Sequence, residues 1–271
     1  MMQELLANPA VQGGAAPFAA GLVAAVLLGR FRLGGLAVVA AFATAVYFIA
    51  GFGFTPLSAT RKIILLGLIA PLVGIVVDFA FRTTRLGSYL LAIAAAACAV
   101  WIFWPVLGQR ELARALLPGA TALLASAWTI GFSERRLAGD GVRAGAAGLA
   151  LGAGTGVAAI LGASLTYGLY GIAVAAGSAA FLLVQMITGK RSHAGATFML
   201  SAATVAILFA SAAMILAQLP WYSVGVLALI PVAANFRVPA GAALWLQAVL
   251  ASSYGLAVAV LACALAWHAG G

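Results

Sequence analysis

The chain has 271 residues, 65% of them hydrophobic and only 7% charged, and its mean hydropathy is +1.17. A soluble domain of this length is not built that way, so lipid must be the solvent for most of the chain. The formal net charge is +9. The basic residues stand singly or in pairs between apolar runs, however, which is the pattern of topology signals and gives no reason to expect a nucleic-acid partner.

The opening residues, MMQELLANPAVQGG, carry Glu4 and no basic stretch, and they read as a retained, uncleaved end. Apolar runs long enough to cross roughly 30 Å of hydrocarbon then recur along the chain. They predict about ten spans, at Val11–Gly29, Leu33–Phe54, Ile63–Phe81, Gly87–Leu107, Ala115–Phe132, Ala144–Gly162, Leu165–Ile187, Ala196–Ala217, Trp221–Asn235 and Gly241–Trp267. The ninth is short and interrupted by Pro231. The expected fold is an all-α polytopic membrane protein forming a single integral membrane domain over residues 1–271, with a lipid bilayer as its surroundings.

The 14 Lys and Arg residues test this order. Loops after odd-numbered spans hold Arg30, Arg32, Arg82, Arg85, Arg135, Arg136, Arg143, Lys190, Arg191 and Arg237. Loops after even-numbered spans hold only Arg61, Lys62, Arg110 and Arg114. Short basic loops stay in the cytoplasm, so the odd loops are expected inside and both termini outside, in a membrane such as the bacterial inner membrane. Glu134–Arg143, ERRLAGDGVR, is the most polar stretch and reads as a solvated cytoplasmic connection; its sharper reading is a docking site for a cytoplasmic partner.

In the sixth span, Gly145, Gly148, Gly152 and Gly156 continue into Ala159 and Ala163 at spacings of three and four residues. Read as a helix, this is a stripe without side-chain bulk, the feature that lets membrane helices approach closely. The span is therefore expected among other helices, as a central post. An internal likeness frames it. A shift of 160 residues pairs Ala15–Ala50 with Ala175–Ala210 and puts Pro71 on Pro231, and a shift of 165 aligns Ser88–Ala99 with Ser253–Ala264. This reads as two parallel repeats, 11–107 and 165–267, flanking a central insert, 108–164. Alanine-rich helices of similar length also align without such a relation. Pro71 and Pro231 free backbone carbonyls and are the expected hinges.

Reaction chemistry is thin. No cluster of His, Cys or paired carboxylates has catalytic or metal-binding spacing, so no catalytic residue, metal or cofactor is expected, and an enzyme is the less favoured reading. Cys98 and Cys263 lie in apolar runs and read as packing residues. Asp78 is the only acid inside a predicted span. It is either an ion or substrate group or, paired with Arg82 one turn on, an anchor for the helix end. Gln185, Asn235, Gln247, Ser253 and Tyr254 are the neutral polar groups that line a path or bond between helices. The leading expectation is a transporter or permease for an ion or small molecule. The alternative is an assembly subunit of a larger membrane complex, with membrane-protein partners or further copies of itself.

Overall fold

In the computed structural model, which describes residues 8–80, 85–239 and 241–270, every regular element is a helix. Apart from a 3-10 turn at Gly29–Phe31, in chain order they are α1 (Val11–Leu28), α2 (Leu36–Ile49), α3 (Ala59–Ala80), α4 (Arg85–Leu107), α5 (Leu112–Arg136), α6 (Gly141–Leu161), α7 (Leu165–Thr188), α8 (Gly195–Leu216), α9 (Trp221–Leu227), α10 (Ile230–Ala234) and α11 (Leu244–Gly270). Eight of these are long and apolar enough to cross a membrane. The protein is an all-α membrane protein.

Two predicted spans differ. The second is helical only over Leu36–Ile49, 14 residues, or about 21 Å at 1.5 Å per residue, short of the hydrocarbon thickness. The ninth is not one helix: α9 ends at Leu227 and α10 begins at Ile230. Pro231, at the second position of α10, has no N–H to give the Leu227 carbonyl, so a continuous helix would lose that bond and clash there. Pro71, its counterpart under the sequence shift, sits buried inside the uninterrupted α3.

The centre of the bundle is α8, not the glycine-rich α6. Within its most apolar 18-residue window α8 is 94% buried, against 72% for α6. Helices α2, α3, α5, α6, α7 and α9 all pack on α8. Phe198 meets Phe181 of α7, and Phe209 stacks on Tyr170 at 4.7 Å while also meeting Phe42 of α2. Outside this shell, α1 leans on α2 and α7, α4 on α5, and α11 on α6, α9 and α10.

The most extensive helix pair is α6 with α7. Here the stripe of small residues on α6 meets a matching one on α7, Gly168, Gly171 and Ala175. A Cβ at Gly156 would lie 2.9 Å from the Ile172 nitrogen and 3.0 Å from the Gly168 carbonyl oxygen. One at Gly171 would lie 2.7 Å from Gly156 Cα. Backbone therefore rests on backbone, and dispersion between closely spaced helices replaces the hydrophobic drive that lipid does not supply. Further along, Gly145 faces Leu182 and Gly148 faces Ser178.

Rigid backbone cannot yield to a new side chain as a flexible neighbour can. Gly152→Leu, facing the Ala175 nitrogen and the Gly171 carbonyl, is expected to cost more than about 3 kcal/mol, the upper end of ordinary overpacking. Size-exclusion chromatography after detergent extraction should show loss of the folded monodisperse peak; a normal peak and melting curve would mean that α6 and α7 do not touch there.

Candidate functional site

Asp78 lies two residues before the end of α3; Arg82, the partner expected one turn on, falls outside the described residues. The carboxylate reaches across to the start of α8. Ala196 N donates to Oδ1 at 2.7 Å, and Thr197 N and Oγ1 donate to Oδ2 at 2.9 and 2.7 Å. The first N–H groups of a helix have no partners of their own, and α8 has no side-chain cap from the residue preceding it. Asp78 supplies that cap from another helix and places negative charge at the positive end of the helix dipole. Two glycines make room. A Cβ at Gly74, one turn back on α3, would lie 2.6 Å from Thr197 N. Gly195 has φ +66°, a conformation other residues rarely adopt, and a Cβ on it would collide with the Asp78 carboxylate.

Gln185, Asn235 and Gln247 gather at this same end of the bundle, where the basic loops meet. Gln185 is fully buried on α7; its Nε2 donates to Gly141 O at 3.3 Å and its Oε1 accepts from Ser192 N at 3.1 Å. Gln247 accepts from Arg191 at 2.5 Å and donates to Ala242 O. Asn235 accepts from Arg143 at 3.3 Å. Asp140 caps α6 through Val142 N and Arg143 N and pairs with Arg143 and Arg191. These side chains tie loops together. Ser253 bonds back to Val249 O on an exposed face, and Tyr254, partly exposed, meets the Phe236 ring.

The stretch read as a solvated connection is largely ordered helix and buried turn. Helix α5 continues through Arg136, and Leu137 and Ala138 are buried. Glu134 is thus inside α5 and only 2% exposed. It continues a buried face formed by Ala122, Ala125, Ser126, Thr129, Ile130 and Ser133, which packs against α8 and reaches α9 and α10.

This face has an unusual property. Hydroxyls inside helices usually bond to the carbonyl one turn back, as Thr44, Thr121, Ser178 and Ser201 do here at 2.8 Å. Ser126, Thr129 and Ser133 on α5, Ser211 on α8 and Ser223 on α9 have no hydrogen-bond partner among the described residues, and neither do the two carboxylate oxygens of Glu134. At about 1.5 Å per residue, Ser126 lies roughly 12 Å along α5 from Glu134, so the row runs from one end of the bundle toward its middle. The break between α9 and α10 lies on the helices that border it.

The chain matches no known protein family, no curated protein and no solved structure.

Other groups are more ordinary. Tyr167 OH and Thr60 Oγ1 lie 3.1 Å apart at the opposite end, beside an open depression of about 540 Å³ that Ser164 and Gln218 also line. Cys98 and Cys263 are free thiols. Among the described residues no three His, Cys, Asp or Glu side chains gather as a metal site would require.

Asp78 and Glu134 should respond oppositely to loss of charge. Asp78→Asn puts an amide against backbone donors and is expected to lower stability by about 1–2 kcal/mol, the range for a lost helix cap. Glu134→Gln replaces a buried carboxyl without a partner by an uncharged amide of the same size and is expected to leave stability unchanged or raised. Thermal unfolding in detergent compares them; an equal fall in both variants would mean that Glu134 is bonded within the fold.

Proposed function

We propose that this chain is a membrane transporter or permease for an ion or small molecule, and that the seam formed by α5, α8, α9 and α10 is part of its path. The observation that carries this reading is the row of buried groups without protein partners, ending in the Glu134 carboxylate. Buried hydroxyls without partners are costly and are ordinarily satisfied by water or a ligand. A buried ionised carboxylate is costlier still unless a proton or cation accompanies it. Interrupted helices beside such groups are a recurring device in transporters, where backbone carbonyls line the site.

With the basic loops in the cytoplasm, Glu134 would sit at the inner end of the seam and Asp78 would hold α8 in place beside it. Glu134, not Asp78, is then the group available to take up and release the coupling or transported ion. The assembly-subunit reading draws support from Gln185, Asn235 and Gln247, whose hydrogen-bonding groups are engaged in tying loops.

Proteoliposomes under an imposed membrane potential, with a trapped pH dye for protons and labelled sodium for cations, test the proposal. Wild type is expected to pass one of the two at least tenfold faster than Glu134→Gln and than Ser126→Ala/Thr129→Ala. Liposomes equally tight to both ions with wild type and variants would overturn it, and a stoichiometric partner retained through mild-detergent purification would then favour the subunit.

A further inference from the structure

We infer that the groove between α4 and α5 binds an anionic phospholipid, its phosphate held by Arg135 and Arg136 and an acyl chain lying over Trp128 and Leu124. The inference does not depend on the transport proposal. The groove has a volume of about 470 Å³, and Tyr89, Leu124, Trp128, Phe132, Arg135 and Arg136 are among its lining residues. Its wall is apolar and stiff: Trp128 and Phe132 stack with ring centroids 5.5 Å apart, Trp128 and Leu124 are exposed along α5, and Tyr89 is exposed on α4.

The two arginines close one end. Both are exposed, and the acids available to them are otherwise disposed. Asp140 pairs with Arg143 and Arg191, Glu111 pairs with Arg114 beyond the far end of the bundle, and Glu134 is buried with neither oxygen bonded. Two guanidinium groups without a carboxylate partner among the described residues, side by side at the end of an apolar groove, match a phosphate by charge and by their fork of donors.

The lengths agree as well. At about 1.5 Å per residue, Trp128 lies roughly 10 Å and Leu124 roughly 16 Å along the helix from Arg135. Half of the hydrocarbon layer is about 15 Å, so a headgroup at the arginines places its acyl chain along the groove down to the middle of the bilayer. Arginines at the end of a membrane helix also serve as general anchors to the interface. The groove beneath them, with its stacked aromatic wall, is what distinguishes a lipid seat from anchoring.

Native mass spectrometry of the full chain, delipidated in detergent and titrated with phosphatidylglycerol or phosphatidylcholine of the same chains, tests this. Wild type is expected to retain phosphatidylglycerol at a concentration at least tenfold lower than phosphatidylcholine. Arg135→Gln/Arg136→Gln should reduce that preference to twofold or less, whereas Arg114→Gln should leave it intact. Trp128→Ala should weaken retention of both lipids. Equal retention of the two lipids by wild type overturns the inference. So does a preference that survives the double arginine substitution, which would assign it to the overall positive charge.

Discussion

The N-terminus of a helix buried on every side must find partners for its first N–H groups within the protein, because neither lipid nor bulk water can serve them. In this chain the requirement falls on α8, and the Asp78 carboxylate meets it together with the Ala138 carbonyl, which accepts from Gly195 N. Asp78 accepts two backbone N–H bonds and one hydroxyl bond from Ala196 and Thr197. It also joins the third helix to the eighth, 118 and 119 residues apart in sequence. Because α8 touches most of the other helices, its placement along the bundle axis sets the depth of its neighbours. The left-handed Gly195 and the side-chain-free Gly74 are local concessions that let this contact form.

Around that anchor the helices are held by two kinds of surface. Between α6 and α7 small residues bring backbones into contact. Around α8 aromatic rings and alanines fill the space, with Phe198 and Phe209 wedged between neighbouring helices. The α5 face is different in kind. It packs against the same central helix, yet it carries hydroxyls and a carboxylate that have no hydrogen-bond partner among the described residues. Buried polarity of that sort is costly to keep, which sets this face apart from the better-bonded residues at the basic end.

The membrane class, the positions of the long helices and the unusual stripe on α6 were legible in the chain, since they depend on local hydropathy and residue size. The partner stripe on α7 was also visible in principle, as Gly168, Gly171 and Ala175 share its spacing. The bonds from α8 to Asp78 were not legible: a side chain bonding to backbone N–H groups on a distant helix leaves no residue-type signature. Glu134 was hidden for another reason. Hydropathy ends the fifth span at Phe132, and the following Glu-Arg-Arg resembles a loop. The spacing of Ser126, Thr129 and Ser133 was the available signal that the helix, and its inward face, continues. The break in the ninth span was flagged by Pro231, which cannot donate to the Leu227 carbonyl.

The last turn of α5 places Glu134, Arg135 and Arg136 in sequence, one facing the interior and two facing outward. Successive residues on a helix point about 100° apart. Turning α5 by one residue in either direction would therefore move an acid toward lipid or drive a guanidinium into the core beside the N-terminus of α8. Either move is electrostatically expensive, so these three consecutive residues act as a rotational lock. They fix the azimuth of α5 as firmly as Asp78 fixes the depth of α8.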